Sequence, residues 1–342
     1  MPDSVAQDGS RTRLAAPAPA RARVAPGGLR SAVCTLADGD FHFGAAALAN
    51  SLIRHGYQGS LWIGHRGALP PWAGAARPDG AGRHRLDATD TVSLRFFQLE
   101  AEGLFAFQKG RALVRVLDEL APDADALFFF DADIVVKNEW AVFEELAGFG
   151  VGAVLDISDT YMLPTHPKKL HWARMLEKHG LPVREVHGYY NSGFLALPRD
   201  CGRLLEVWMR LVAALPDEGR PFHVRRYKTR ASAFHFMDQD MFNAALMGCD
   251  VPLVSVGPDG MDAVFPYGFY MSHAYWRKKP WARPYIRDAL RGLPPDKAHQ
   301  IFWRYLDGPI KPFTDAEYRR RVRAVRIAKL IGRFYRRPEV DD

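Results

Sequence analysis

Residues 126–136 constrain this chain more than any other stretch, because an apolar run leads directly into two carboxylates. Residues 126–130 are all small or apolar, Asp131 and Asp133 follow with one residue between them, and residues 134–136 are apolar again. A continuous apolar run is typical of a strand that is buried on both faces of a sheet. The two carboxylates would then lie where the strand ends, which is where open α/β sheets bind their ligands.

Asp131 and Asp133 are therefore expected to bind a divalent metal ion. Two carboxylates held this close together repel each other and lose hydration unless a cation lies between them. A polar turn with two solvated carboxylates is the alternative that the stretch leaves open when it is considered alone.

The composition is that of an ordinary globular protein. The 342 residues suffice for a sizeable core, in one large α/β domain or in two smaller ones. The sequence shows no run of the roughly 18 to 20 apolar residues that span a membrane, and its first residues lack the apolar core of a secretory signal. Cys34, Cys201 and Cys249 have no metal-ligand spacing, so we expect free thiols in a reducing, cytoplasmic compartment.

The net charge of +7 is concentrated at the two ends of the chain. Residues 1–30 carry a net charge of +3, residues 315–337 carry +7, and the last five residues carry −3. The segment 31–314 is therefore neutral. A neutral body argues against nucleic acid as a partner, because such proteins present a basic face along their whole binding surface.

The first ordered elements are predicted to form a β-α-β unit. A strand is expected at 31–37, a helix at 43–55 that ends at Gly56, and a second strand at 60–64. Because such a unit joins neighbouring parallel strands, the sheet is predicted to be parallel here. Residues 1–29, rich in Ala, Pro, Arg and Gly without periodicity, are expected to be a disordered tail.

Downstream patterns add helices and strands on both sides of the apolar run. Residues 65–90 are interpreted as a long surface loop, and residues 264–285 as an irregular, aromatic-rich segment. The other predicted elements are strands at 91–99, 150–155, 189–197 and 251–256 and helices at 105–120, 170–179, 199–215 and 239–247.

Three further segments combine polar residue types that can bind ligands. They are Asn191-Ser192-Gly193, Asp238-Gln239-Asp240, and His273 with Lys279-Pro280-Trp281. The first interrupts an apolar strand, where a glycine indicates a close backbone approach. The second opens a predicted helix, and its acids can either cap that helix or point towards a ligand. In the third, the histidine can bind a metal and the lysine can pair with a phosphate, although a lone histidine is more often structural.

Taken in order, the strand with its Asp-x-Asp pair and these three segments resemble the glycosyltransferases of family 8. The resemblance covers roughly residues 31–285. Members of that family have a GT-A fold, bind a nucleotide-sugar and use Mn²⁺. The resemblance implies an α/β, GT-A fold, with a single Rossmann-like domain at 30–290 that contains a mixed, mostly parallel central sheet. A helical, basic C-terminal extension at 291–342 would follow it.

The resemblance also implies how the metal and the donor diphosphate are held. The family's metal ligands match Asp131, Asp133 and His273, which would bind Mn²⁺ or Mg²⁺. One nitrogen ligand beside the carboxylates favours Mn²⁺. Lys279 matches the lysine that contacts the diphosphate, and Lys109 occupies the place of a basic residue with a longer spacing to Asp131 than the family usually shows.

Contacts to the nucleoside and to the sugar follow from the same resemblance. Ala37, Asp38 and Asp40 match the stretch that reads the uracil and the ribose, and Asp156 matches an acid that touches the donor sugar. The residues matched to the surroundings of the anomeric carbon are Asn191, Gln239 and Asp238.

The chain departs from the family's pattern in two places. Between His273 and Lys279 it has Tyr275 and Trp276 where the family commonly has a glycine, and these side chains would reshape the donor pocket. The segment 157–187 is expected on the acceptor side and matches no subfamily pattern.

The function implied is metal-dependent transfer of a sugar from a UDP-sugar to an acceptor hydroxyl, with retention of configuration. The expected acceptor is a glycan, lipid-linked or at the cell surface, such as a lipopolysaccharide core. One alternative is a phosphatase of the haloacid-dehalogenase type, whose motif also joins an apolar strand to Asp-x-Asp but lies near the start of its domain. A non-catalytic protein with a glycosyltransferase fold that binds a glycan or a membrane is the other.

The C-terminal segment from Arg323 onward separates into a basic side and a mostly apolar side when it is drawn as a helix. A basic amphipathic helix at 315–337 suits an anionic membrane surface, and some bacterial members of the family attach to membranes through such tails. The protein would then lie on the inner face of the cytoplasmic membrane. A helix packed on the body with a solvated basic face is the alternative.

Overall fold

The computed structural model describes residues 28–100, 103–215, 232–261, 268–275 and 278–337. The strands are β1 (Ser31–Leu36), β2 (Gly59–His65), β3 (Arg77–Pro78), β4 (Arg83–Asp87), β5 (Val92–Gln98), β6 (Ala126–Phe130), β7 (Ile134–Val136), β8 (Val151–Val154), β9 (Phe194–Pro198), β10 (Leu253–Val256) and β11 (Met271–His273). The helices are α1 (His42–Arg54), α2 (Lys109–Arg115), α3 (Trp140–Phe149), α4 (Pro167–Lys178), α5 (Arg203–Ala213), α6 (Met237–Met247), α7 (Tyr285–Leu290), α8 (Lys297–Phe302) and α9 (Asp315–Phe334).

The central sheet has nine strands within the described ranges, in the order β10-β8-β9-β6-β1-β2-β5-β4-β3. β1 pairs in parallel with both β2 and β6, so that Val33 lies opposite Leu61 on one side and Phe128 on the other. Of the strands described, β4 and β9 run against the other seven. The predicted α/β fold with a mixed, mostly parallel sheet is therefore confirmed.

β6 lies in the middle of this sheet, and all of its residues are buried. Alternate side chains enter two separate cores, with Leu127 and Phe129 on one face and Phe128 and Phe130 on the other. Each such side chain contributes about 1.5–3 kcal/mol when it is fully buried. Burial on both faces explains the continuous apolar run, since neither face of β6 meets water.

Helices cover both faces of the sheet. α2, α4, α5 and α6 contribute side chains to the core that contains Phe129, whereas α1, α3 and the C-terminal helices α7–α9 contribute to the core that contains Phe128. The C-terminal helices therefore lie on the same face of the sheet as α1.

Most elements occur where the sequence predicts them, but some expectations are wrong. Residues 65–90 contain β3 and β4, which extend the edge of the sheet beyond β5. Residues 264–285, expected to be irregular, contain β11, which pairs with β7. The strand expected at 189–197 begins only at Phe194, because the Tyr190 N–H bonds to Asn243 of α6 and the Gly193 N–H bonds to the Asn191 side chain. Asp238 does not cap α6; the carboxylate of Asp240 accepts the hydrogen bond from the Phe236 N–H at 2.7 Å instead.

α9 begins with a capping box and packs on the body of the protein. The Thr314 side chain accepts from the Glu317 N–H at 3.3 Å, and the Glu317 carboxylate accepts from the Thr314 N–H at 3.0 Å. Val325 and Ala328 are buried, so the side of the helix that carries them packs on the body, as one of the two alternatives predicts. The sequence predicts one apolar side for this helix, and that is wrong in part. Because a helix turns 100° per residue, Ile327 points away from Val325 and Ala328, and its side chain is exposed.

The proposed domain boundaries near residues 30 and 290 stay predictions. Of the tail expected at 1–29, all but residues 28 and 29 lies outside the described residues, and so does Trp276. No helix in the described part of the chain is long and apolar enough to cross a membrane.

Candidate active site

The candidate site lies at the edge of the sheet where the parallel strands end. The residues that follow β1, β2, β6 and β8 at this edge are Asp38, Arg66, Asp131 and Asp156. β9 runs in the opposite direction, so the segment that precedes it, 191–193, reaches the same edge. Parallel strands thereby bring together polar residues that are more than 100 positions apart in the chain.

Asp131, Asp133 and His273 form a cluster in which one ligand atom of each lies within 4.8 Å of the others. β7 follows Asp133 directly and pairs antiparallel with β11, with Ile134 opposite His273. This pairing brings the His273 Nε2 to 3.3 Å from the Asp133 Oδ1. The histidine thus reaches the carboxylates through a second, two-stranded sheet, which the sequence does not predict.

The backbone of the Asp131–Asp133 turn is held from both sides. The Asp131 N–H donates to the Gly193 carbonyl at 2.7 Å, and the Ala274 N–H donates to the Asp133 carbonyl at 3.0 Å. A Cβ on Gly193 would lie 3.0 Å from the His273 ring and 3.1 Å from the Asp131 carboxylate. The close approach predicted for this glycine is therefore an approach to the acidic cluster itself.

The residues of this cluster fit a divalent cation. Burial alone would raise the pKa of Asp133, but the charges of Lys279 and His273 outweigh it and hold that pKa well below its ordinary value. Asp133 is therefore ionised although it is buried. The Nδ1 of His273 is buried without a hydrogen-bond partner among the described residues. Carboxylate oxygens with one imidazole nitrogen are a donor set that suits Mn²⁺.

Lys109 links the cluster to the start of α6. Its Nζ lies 3.0 Å from Asp131 and 2.9 Å from Asp238, and it donates to the Ser192 carbonyl at 3.1 Å. Burial lowers the pKa of Lys109, but the two carboxylates outweigh it and raise the pKa above its ordinary value. Burial also raises the pKa of Asp238. Lys109 therefore ties Asp131 of the cluster to Asp238 at the start of α6.

Lys279 reaches the cluster from the segment before α7. Its Nζ contacts the Asp133 carboxylate and donates to the Ala274 carbonyl at 3.1 Å. The side chain is almost fully buried. The structure thus brings together Asp131, Asp133, His273, Lys109 and Lys279, which the sequence predicts as neighbours.

Asn191, Asp156 and Gln239 form a second group beside the cluster. The Asn191 side chain donates to Asp156 at 2.8 Å and accepts from the Gly193 N–H at 2.8 Å. The Gln239 Oε1 accepts from the Ser192 N–H at 3.2 Å. These amides are therefore held by the segment that also touches the acidic cluster.

The residues predicted to read the nucleoside lie at the end of β1. Ala37 is buried and its N–H donates to the Gly64 carbonyl at 2.9 Å. Asp38 pairs with Arg66, whose guanidinium also lies 4.9 Å from the centre of the Phe105 ring. Asp40 is exposed, in the short turn Gly39–Phe41. Sequence reasoning missed Arg66, although its place directly after β2 is a signal that could have identified it.

A buried network that the sequence does not predict holds α6 against this segment. The Tyr189 hydroxyl donates to Asp240 at 2.7 Å, and the Asn243 side chain bonds both the N–H and the carbonyl of Tyr190 at 2.7 and 2.8 Å. Burial raises the pKa of Asp240 to about 8. These contacts position the first turn of α6, which carries Asp238 and Gln239.

A cavity of about 720 Å³ lies at the opposite end of the sheet, beside the first residues of β1 and β2. Its lining includes Ser31, Trp62 and Glu144. None of the residues predicted for the site is among those that line it, so this cavity is separate from the acidic cluster.

Fold and site together define an α/β protein with a mixed, mostly parallel sheet and an Asp-Asp-His cluster at the carboxyl edge of that sheet. No protein-family model and no curated protein matches the sequence. A solved structure does match, the bifunctional glycosyltransferase WbbM in its apo form, with a TM-score of 0.51 and 16% identity. The match covers 86% of this chain and 52% of the WbbM chain, so this chain spans about half the length of that protein. The likeness confirms the glycosyltransferase-like, GT-A-type fold that the sequence predicts.

Proposed function

We propose that this protein is a metal-dependent glycosyltransferase that moves a sugar from a UDP-sugar to an acceptor hydroxyl, with retention of configuration. The observation that supports this most directly is the Asp131-Asp133-His273 cluster at the carboxyl edge of a glycosyltransferase-like sheet. Lys279 adds a fixed positive charge within the same group. The reaction needs these features because a nucleoside diphosphate leaves only when its growing negative charge is neutralised.

Asp131, Asp133 and His273 would hold the divalent cation, which supplies the neutralising charge for the leaving diphosphate when it is bound. Lys279 would move from Asp133 to the diphosphate oxygens. Asn191 and Gln239, fixed by Gly193 and Ser192, would line the sugar.

Retention by front-face attack is proposed because the nearby acids are already engaged. Asp238 is paired with Lys109, and Asp156 accepts from Asn191 and from the Ser158 N–H at 2.8 Å. Gln239 is an amide and a poor covalent nucleophile. The acceptor hydroxyl would then attack the anomeric carbon from the same face of the sugar that the diphosphate leaves. An oxygen of the leaving phosphate would take the proton of that hydroxyl.

Release of UDP from UDP-sugars tests the function. We expect turnover with Mn²⁺, loss of turnover with EDTA and recovery when Mn²⁺ is added back, across a panel of donors that identifies the sugar. With an α-linked donor, NMR should show an α-linked product.

Hydrolysis of p-nitrophenyl phosphate without any nucleotide-sugar would favour the phosphatase instead, and UDP-sugar binding without turnover on any acceptor would favour the non-catalytic protein. A β-linked product would contradict retention alone.

The exposed side of α9 supports a proposed contact with an anionic membrane surface, where a lipid-linked glycan would be the acceptor. Ile327, Leu330 and Phe334 are 41%, 53% and 85% exposed on a helix that carries seven Lys or Arg residues. Apolar side chains among basic residues match the requirements of binding to anionic lipid, since the charges attract the surface and the apolar groups insert.

Substitution separates this proposal from a purely structural role of α9. We expect the double variant Leu330→Ser/Phe334→Ser to lose most of its co-sedimentation with anionic vesicles. Vesicles of phosphatidylcholine alone should bind neither the parent protein nor the double variant. Leu163→Ser, at a side chain 57% exposed outside α9, serves as the control and should bind like the parent. Equal sedimentation of all three proteins would contradict membrane binding through α9.

A further inference from the structure

The backbone that carries Lys279 is held by side chains from all three C-terminal helices. The Lys278 carbonyl faces the His299 Nε2 of α8 at 3.1 Å, and the Pro280 carbonyl accepts from the Tyr285 hydroxyl of α7 at 3.0 Å. The Trp281 carbonyl accepts from the Arg321 guanidinium of α9 at 2.7 Å. Lys279 therefore lies in a segment whose flanking carbonyls are each fixed by a different helix.

Two of the three donors, His299 and Tyr285, are held in place by further hydrogen bonds. His299 is fully buried, and its backbone N–H donates to Asp296 at 2.7 Å while its ring contacts the same carboxylate. The Tyr285 hydroxyl accepts from the Trp303 indole at 2.9 Å. Because these two donors are fixed by other contacts, they define the path of the segment rather than follow it.

Arg321 has the most specific geometry of the three. Its guanidinium lies 4.8 Å from the centre of the Phe313 ring, while one nitrogen reaches the Trp281 carbonyl. The Trp281 ring in turn packs edge-on against Phe41 at 5.4 Å, at the turn that follows β1. The contact from α9 therefore fixes the main chain two residues after Lys279.

We propose that Arg321, Tyr285 and His299 are positioning residues that set Lys279 against the diphosphate of the donor, so that the C-terminal helices control nucleotide affinity. This inference rests on the proposed function, because it needs a diphosphate at the Asp131-Asp133-His273 cluster. The three side chains do not touch the nucleotide; they act through the main chain on either side of Lys279.

Binding of UDP in the presence of Mn²⁺, measured by calorimetry, tests the proposal without any need for turnover. Arg321→Ala should weaken UDP binding about tenfold, because the Lys279 segment is then less well ordered before binding and part of the binding free energy is spent on ordering it. Arg321→Lys should recover part of the affinity, because an ammonium can donate to the same carbonyl. Arg323→Ala, which removes the same charge from an exposed position on α9, is the matched control and should bind UDP as the parent does.

Two further readouts separate positioning from a general loss of structure. Uridine, which lacks the diphosphate, should bind Arg321→Ala and the parent equally. In a Lys279→Ala background, Arg321→Ala should cause little additional loss, because both changes remove the same contact to the diphosphate. If Arg321→Ala does not fold, Tyr285→Phe removes a single hydroxyl from the same segment and is expected to show the same selectivity for UDP over uridine.

The outcomes distinguish the inference from the proposed function. If the parent protein does not bind UDP with Mn²⁺, both are overturned. If the parent binds UDP but Arg321→Ala behaves like Arg323→Ala, or weakens uridine as much as UDP, or keeps its full effect without Lys279, the positioning role alone is overturned.

Discussion

Replacement of Asp133 by asparagine is expected to abolish metal-dependent binding of the donor and to reduce sugar transfer about a thousandfold. Asp133 contacts both His273 and Lys279. Because its side chain is buried, solvent cannot compensate for the loss of its negative charge. Asparagine keeps the shape of the side chain but leaves Lys279 beside a neutral group. Calorimetric titration of Mn²⁺ and UDP, together with the rate of UDP release, measures the effect.

Asp125→Asn is the matched control for this prediction. Asp125 lies just before β6 at the other end of the strand and pairs with Arg30 on the surface, 2.9 Å away. Exposed ion pairs of this kind contribute about 1 kcal/mol or less to stability, so this variant should remain active. Near-normal transfer by Asp133→Asn would show that the carboxylate does not hold a metal.

Replacement of Gly44 by alanine is expected to lower the free energy of unfolding by about 3 kcal/mol or more. A Cβ at this position of α1 would lie 2.0 Å from the carbonyl oxygen of Ala132, between the two aspartates, and 3.0 Å from the Trp281 ring. Neither neighbour is the end of a flexible side chain, so α1 and the Asp131–Asp133 turn must move apart. Urea unfolding measures the loss of stability, and UDP binding with Mn²⁺ should weaken in the same variant.

Gly148→Ala provides the comparison, because Gly148 is also in a helix but a Cβ there would have no heavy atom within 4 Å. Alanine has the higher helix propensity, so this variant should match the parent or gain up to about 1 kcal/mol. If the two glycine variants unfold alike, the close contact between α1 and the Asp131–Asp133 turn does not constrain the fold.

The buried strand β6 and the β-α-β opening could be predicted because local sequence patterns encode them. The apolar run that ends at Asp131 predicts a strand buried on both faces, and β6 has that environment because it lies between β1 and β9 in a sheet covered on both sides. The β-α-β opening follows from the spacing of apolar residues and from Gly56, which has a φ of +82° just after α1. Each of these signals lies within about 15 residues of chain, where periodicity is informative.

The motif resemblance identified the residues of the Asp131-Asp133-His273 cluster, but not the groups that support them. Lys109 reaches Ser192, which is 83 positions away, and Tyr189 reaches Asp240 across 51 positions. Such contacts have no local period, because side chains of any spacing can meet once the strands and helices are packed. Arg66 was missed for the same reason, since its partner Asp38 follows a different strand.

Residues 126–136 alone therefore determine a buried strand that ends in two adjacent carboxylates, because burial on both faces admits only apolar side chains and the turn that follows admits acids. Only the tertiary structure decides that these carboxylates meet His273, Lys109 and Lys279, since that depends on which strands end at the same edge and on the pairing of β7 with β11. It also decides how the C-terminal basic segment packs. The sequence alone leaves open whether this helix packs on the body, whereas in the structure Val325 and Ala328 are buried, Arg321 bonds to the segment that carries Lys279, and the other side of α9 stays exposed.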